Sequence, residues 1–72
     1  SVPPAVMRHL AEAAAGAGAL ASKLCGAGGG GGMITYAEPE NVPAVKKALT
    51  AVGATVLDSQ IVSEGIRMSV EL

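Results

Sequence analysis

Seven consecutive residues, Gly26-Ala27-Gly28-Gly29-Gly30-Gly31-Gly32, carry no side chain larger than a methyl group. Glycine loses more conformational freedom on folding than any other residue, so such a run weakens its surroundings unless the backbone needs it. Two needs fit. Positive φ at successive positions aims backbone N–H groups at an anion. Alternatively, a ligand or a second backbone comes too close to admit a Cβ. A flexible linker is the third reading, but the run is short for joining domains and lies between two strand-like segments. The letters satisfy G-x-G-x-x-G at Gly26, Gly28 and Gly31, as any glycine run would. The dinucleotide fingerprint needs a helix next, and the phosphate loop of nucleotide hydrolases needs a Lys-Ser/Thr pair; neither follows.

The flanks set the run in a fold. Residues 4–18 read as a helix, with Pro4 in the first turn, where its missing N–H is harmless, and Val6, Leu10, Ala14 and Ala17 at helical spacing. Arg8, His9 and Glu12 lie off that stripe, and Gly16 and Gly18 fray its end. Residues 20–25 form a short strand with Leu20, Ser22 and Leu24 on one face. Met33-Ile34-Thr35-Tyr36-Ala37 is a second strand. Residues 41–52 form a second helix, with Pro43 in its first turn, Val42, Val45, Leu49 and Val52 on one stripe, and Gly53 as its cap. Residues 55–62 make a third strand, and Ser63-Glu64-Gly65 a turn that places Gly65 at positive φ. In 66–72, Ile66, Met68, Val70 and Leu72 alternate with Arg67, Ser69 and Glu71. The order α-β-β-α-β-β implies an α+β two-layer sandwich, an antiparallel sheet covered by two helices.

Composition narrows the function. Five Lys+Arg balance six Asp+Glu without blocks, which excludes the basic face that nucleic-acid binding needs. Tyr36 is the one aromatic residue, so there is no base-stacking platform. Lys23 interrupts the longest apolar stretch, so no membrane span is expected; the default setting is cytoplasmic. One cysteine and one histidine allow neither an internal disulfide nor a structural zinc site. Of the hydrophobic half of the chain, 14 residues are alanine, a thin supply of core for 72 residues. A mean hydropathy of +0.47 implies surface that another domain or chain covers. Among side chains with chemistry, Cys25 abuts the run with no base near it and reads as a small core residue. His9 reads as a solvated helix residue. Lys23 is either a phosphate contact or the outward residue of its strand. Asp58, Glu64 and Glu71 are too scattered for acid–base work, and Arg67 reads as part of a solvated sheet face.

The stretch from Gly18 to Gly31 resembles the third motif of the GHMP kinases, the superfamily of galactokinase, homoserine kinase, mevalonate kinase and phosphomevalonate kinase. That motif runs as a small residue, Lys, a hydrophobic residue, Ser/Thr/Cys and then Gly-Ala-Gly-Gly-Gly-Gly. Here it stands as Ser22-Lys23-Leu24-Cys25-Gly26-Ala27-Gly28-Gly29-Gly30-Gly31. The Lys-Leu-Cys-Gly form and Ser63-Glu64-Gly65-Ile66-Arg67 resemble the heptose 7-phosphate kinase branch most, with the mevalonate kinase branch next.

The resemblance covers essentially the whole chain. It implies that residues 1–72 are one ferredoxin-like C-terminal domain, a piece of a longer kinase, packed against an N-terminal domain that holds the nucleotide. Gly26, Ala27, Gly28, Gly29, Gly30 and Gly31 would form a substrate- or phosphate-binding loop at the domain junction, acting by backbone N–H groups and close approach, with Lys23 the candidate phosphate contact. Gly32 departs from the Cys or Phe common in the family, which bears on the wall of the substrate pocket. The family's Pro-x-x-x-Gly-Leu-Gly-Ser-Ser-Ala phosphate loop is missing. The chain alone is therefore expected to be inactive and to hold neither ATP nor Mg2+ tightly; both belong to the parent kinase, with its small-molecule substrate. The alternatives are a free-standing small-molecule or anion-binding module, and a homodimerising module with an exposed edge at Ile66–Leu72.

Overall fold

A computed structural model describes residues 2–25 and 32–72. The order is α1 (Pro4–Gly16), β1 (Ala21–Cys25), β2 (Gly32–Ala37), a 3₁₀ turn at Pro39–Asn41, α2 (Val42–Ala51), β3 (Thr55–Val62) and β4 (Gly65–Glu71). The strands form one antiparallel sheet in the order β1-β2-β4-β3. Carrying the first strand of the ferredoxin-like β-α-β-β-α-β order to the end gives this sequence of elements. β4 therefore lies inside the sheet, paired on both sides, and the edges are β1 and β3. An edge at Ile66–Leu72 is excluded, because β4 takes the central place beside β2 that connects the two hairpins.

Both helices lie on one face of the sheet and close a core of Met7, Leu10, Ala14, Met33, Ala37, Val45, Leu49, Ala54, Met68 and Val70. Strand alternation supplies the sheet's half: Met33, Thr35 and Ala37 point inward from β2, Met68 and Val70 from β4. Val45 and Leu49 supply α2's half, flanked by half-buried Val42 and Val52, as the spacing implies. In α1 the buried stripe is Met7, Leu10 and Ala14, while Val6 is 41% exposed. Leu10, Ala14 and half-buried Ala17 keep the expected stripe, and only its first position moves, from Val6 to Met7. Met7, longer and unbranched, fills the gap over the sheet that Val6 was expected to fill.

Both helices stop in the same way. After α1, the Ala19 N–H donates to the Ala14 carbonyl at 3.0 Å and the Gly18 N–H to Ala15 at 3.1 Å; after α2, Ala54 donates to Leu49 and Gly53 to Thr50, each at 3.0 Å. These are Schellman caps, which require a left-handed residue. Gly18 and Gly53 supply it, at φ +107° and +93°. Gly18 therefore closes α1 rather than fraying it.

Candidate functional site

The glycine-rich segment joins β1 to β2, and its two feet are a paired rung. Cys25 stands opposite Gly32, Gly32 opposite Glu71, and Glu71 opposite Thr55, so one line of residues crosses the sheet at that end. The end of α2 arrives there too, since a Cβ on Gly53 would lie 4.0 Å from Leu72 Cδ2. Gly26, Ala27, Gly28, Gly29, Gly30 and Gly31 lie outside the described residues, so the structure fixes where the loop leaves and re-enters the sheet.

Lys23 sits two residues before the foot, about 7 Å along the strand from Cys25. It faces Ile34 across the ladder on the side of the sheet away from the helices, and it is exposed. It is thus the outward residue of its strand, on the same face as Cys25. Cys25 itself is exposed rather than a small core residue. It ends an edge strand on the uncovered face, where no helix reaches it, and its thiol lies 4.0 Å from the Lys23 carbonyl oxygen. His9 is exposed on α1, and Asp58, Glu64, Arg67 and Glu71 are exposed on the strands and their turn. Among the described residues no three of His, Cys, Asp and Glu gather as a metal site, and no helix is long and apolar enough to cross a membrane.

Gly32 is not held to glycine by its surroundings. A Cβ there would meet Cys25 Cβ at 3.5 Å, ordinary contact, and its φ is not left-handed. Position 32 therefore accepts a side chain, which would project beside Cys25 on the uncovered face.

One feature of the hairpin was not singled out from sequence. Thr35 is fully buried, the one buried polar side chain among the described residues, and its Oγ1 lies 3.0 Å from Ser22 Oγ. The two residues are direct cross-strand partners. A hydroxyl at an inward position of each strand was the available signal, and it acquires meaning only once the register is known.

The end of the sheet thus presents the two feet of a glycine-rich connection with Lys23, Cys25 and Glu71 exposed beside them on the uncovered face. The family model for the GHMP kinase C-terminal region matches residues 1–55. This chain belongs to the GHMP kinases. It is 44% identical over 62 residues to the mevalonate kinases of Thermococcus gammatolerans and Thermococcus onnurineus, an alignment covering 86% of this chain. That stretch is 18% of each relative, so the chain corresponds to under a fifth of their length. No solved structure matches. In GHMP terms the matched region runs from α1 through both glycine-run strands and α2 to the start of β3. Both relatives carry the name of the second of the two branches that the motif resembles.

Proposed function

We propose that this chain is the C-terminal part of an ATP-dependent kinase that phosphorylates the hydroxyl of a small molecule, a sugar phosphate or similar alcohol. The observation that carries the reading is the family match across the motif from Ser22 to Gly31, set on a hairpin whose feet are held in register at Cys25 and Gly32. The mevalonate kinase relatives favour an acceptor of that size and polarity. In this reading residues 26–31 line the junction with an N-terminal domain that supplies the nucleotide cradle and, with Mg2+, the charge neutralisation that phosphoryl transfer requires. Lys23 adds a cation on the same side of the hairpin. The half-exposed Leu20 and Leu24 on β1 give the partner domain apolar surface to cover. The chain alone has no kinase activity, and the parent works in the cytoplasm, where ATP is supplied.

The test uses the full product of the gene that encodes these residues. Purified and supplied with ATP and Mg2+, it should release ADP only when an alcohol acceptor is present, with mevalonate and a heptose 7-phosphate the first two to try. A long product that shows no acceptor-dependent ADP release overturns the reading. So does a product that consists of these residues alone.

A further inference from the structure

β1 pairs with β2 along its whole length but buries little side-chain surface. None of its five residues is buried, Ser22 is half-buried, and Leu24 is 50% exposed on the helix side. The inward–outward alternation that fixes most strands therefore exerts little force here. Hairpin register is otherwise set by turn type and loop length. The connection from Cys25 to Gly32 is nearly all glycine, which favours no single turn geometry. The Ala19 cap of α1 and the Leu20 N–H bond to the Tyr36 carbonyl at 2.8 Å tether the start of β1, but ladder bonds recur every two residues, so within the strand the contact between Ser22 and Thr35 is what tells one register from the next.

Sliding β1 by two residues along β2 keeps every side chain on its own face, so patterning alone does not resist it. The slide would bring Leu20 or Leu24 opposite Thr35 in place of Ser22. Thr35, fully buried, would then hold a hydroxyl with no partner, which is unfavourable in an apolar setting. The slide would also lengthen or shorten the glycine connection by two residues.

We propose that Ser22 and Thr35 form a register lock, a positioning pair that holds the hairpin's end rung at Cys25 and Gly32 and so sets which residues stand at the two feet of the glycine-rich segment. Its kinetic consequence rests on the kinase reading above; its structural consequence does not.

Thr35→Val separates a lock from an ordinary stabilising contact. It removes the buried hydroxyl, leaves half-exposed Ser22 to water, and keeps the shape of the core. A merely structural contact predicts looser pairing of β1 in its native register only. A lock predicts that slipped registers lose their penalty, shifting the balance against the native register by roughly tenfold. Amide exchange on the chain should show β1 losing about tenfold protection while β3 and β4 change less than about twofold, and Thr35→Ser should restore it. Cross-strand NMR contacts of Ala21 with Tyr36 and Lys23 with Ile34 should weaken while those of slipped pairs, Lys23 with Tyr36 or with Gly32, appear; native contacts that weaken with no slipped pair appearing overturn the lock. In the full kinase, Thr35→Val should lower kcat/KM by about tenfold and Thr35→Ser by less than about twofold. Unchanged β1 exchange in Thr35→Val overturns the lock, as does an equal loss of protection everywhere or failure of Thr35→Ser to restore it. A wild-type kinase without activity would sink the kinase reading while the exchange experiment still decides the lock.

Discussion

The molecule contains two antiparallel hairpins built on opposite plans. β3 and β4 are joined through Ser63 and Glu64, with Val62 opposite Gly65, a connection as short as hairpins allow. β1 and β2 are joined across residues 26–31, between Cys25 and Gly32. In the first hairpin the tight turn carries a glycine at φ +117°, and Met68 and Val70 on β4 are 0% and 2% exposed. In the second, no residue of β1 is buried, and a hydroxyl pair joins it to β2. Each hairpin feeds the core through its inner strand alone, Met33 and Ala37 from β2 and Met68 and Val70 from β4, so the contrast lies in the two-residue turn.

The sharpest way to break this contrast is Gly65→Ala. Gly65 needs its left-handed φ, and a Cβ there would lie 2.7 Å from the Ala37 carbonyl oxygen, a backbone atom that cannot step aside. Strain and overlap together should destabilise the chain by about 3 kcal/mol or more. A domain of this size has only about 4–11 kcal/mol in total. Thermal unfolding followed by circular dichroism should show a large drop in Tm or no folded baseline. A Tm within a few degrees of wild type would mean that the tight turn does not specify the hairpin.

That tight hairpin was also the most legible part of the sequence. The third strand runs over residues 55–62 as its pattern implies, Gly65 takes positive φ, and Met68 and Val70 face inward. Val45 and Leu49 declared α2 for the same reason, since large aliphatics at helical spacing leave one orientation. α1 was less readable because alanine carries no directional information. With Ala5, Ala11, Ala13, Ala14 and Ala15 all around it, Leu10 alone could not choose between Val6 and Met7 as its neighbour on the stripe. The position of β4 inside the sheet was hidden as well. A strand covered on one face alternates identically at the centre and at an edge, because alternation reports faces and not neighbours. For the candidate site, the motif named the loop and its flanks. The exposure of Cys25 depended on β1 being an edge strand, which no local pattern encodes.

A smaller effect is expected where the tight hairpin meets solvent. The β3–β4 ladder shifts between Val56 and Asp58, leaving Leu57 without a partner on β4, and Leu57 is 58% exposed. Bulges of this kind bend an edge strand away from flat pairing with other chains. Deleting Leu57 should restore a regular ladder at a stability change of under about 1 kcal/mol, since little buried surface is lost. It should also flatten the edge. Sedimentation velocity should then show the variant associating at concentrations where wild type remains a smaller species. A variant that sediments as wild type does would show that the bulge has no protective role.

The smallest effect separates the two hairpins at single-atom resolution. Gly32→Ala is the same chemical change as Gly65→Ala, made in the loosely specified hairpin. Its Cβ would meet Cys25 Cβ at 3.5 Å, and no left-handed φ opposes it. Alanine also has less freedom to lose on folding than glycine, so the expected change is between zero and about 1 kcal/mol of stabilisation. Denaturant unfolding of both variants beside wild type measures the difference directly, and it should exceed about 3 kcal/mol. If Gly32→Ala proved as damaging as Gly65→Ala, glycine would be required at the foot of the connection. The two hairpins would then share one means of specification.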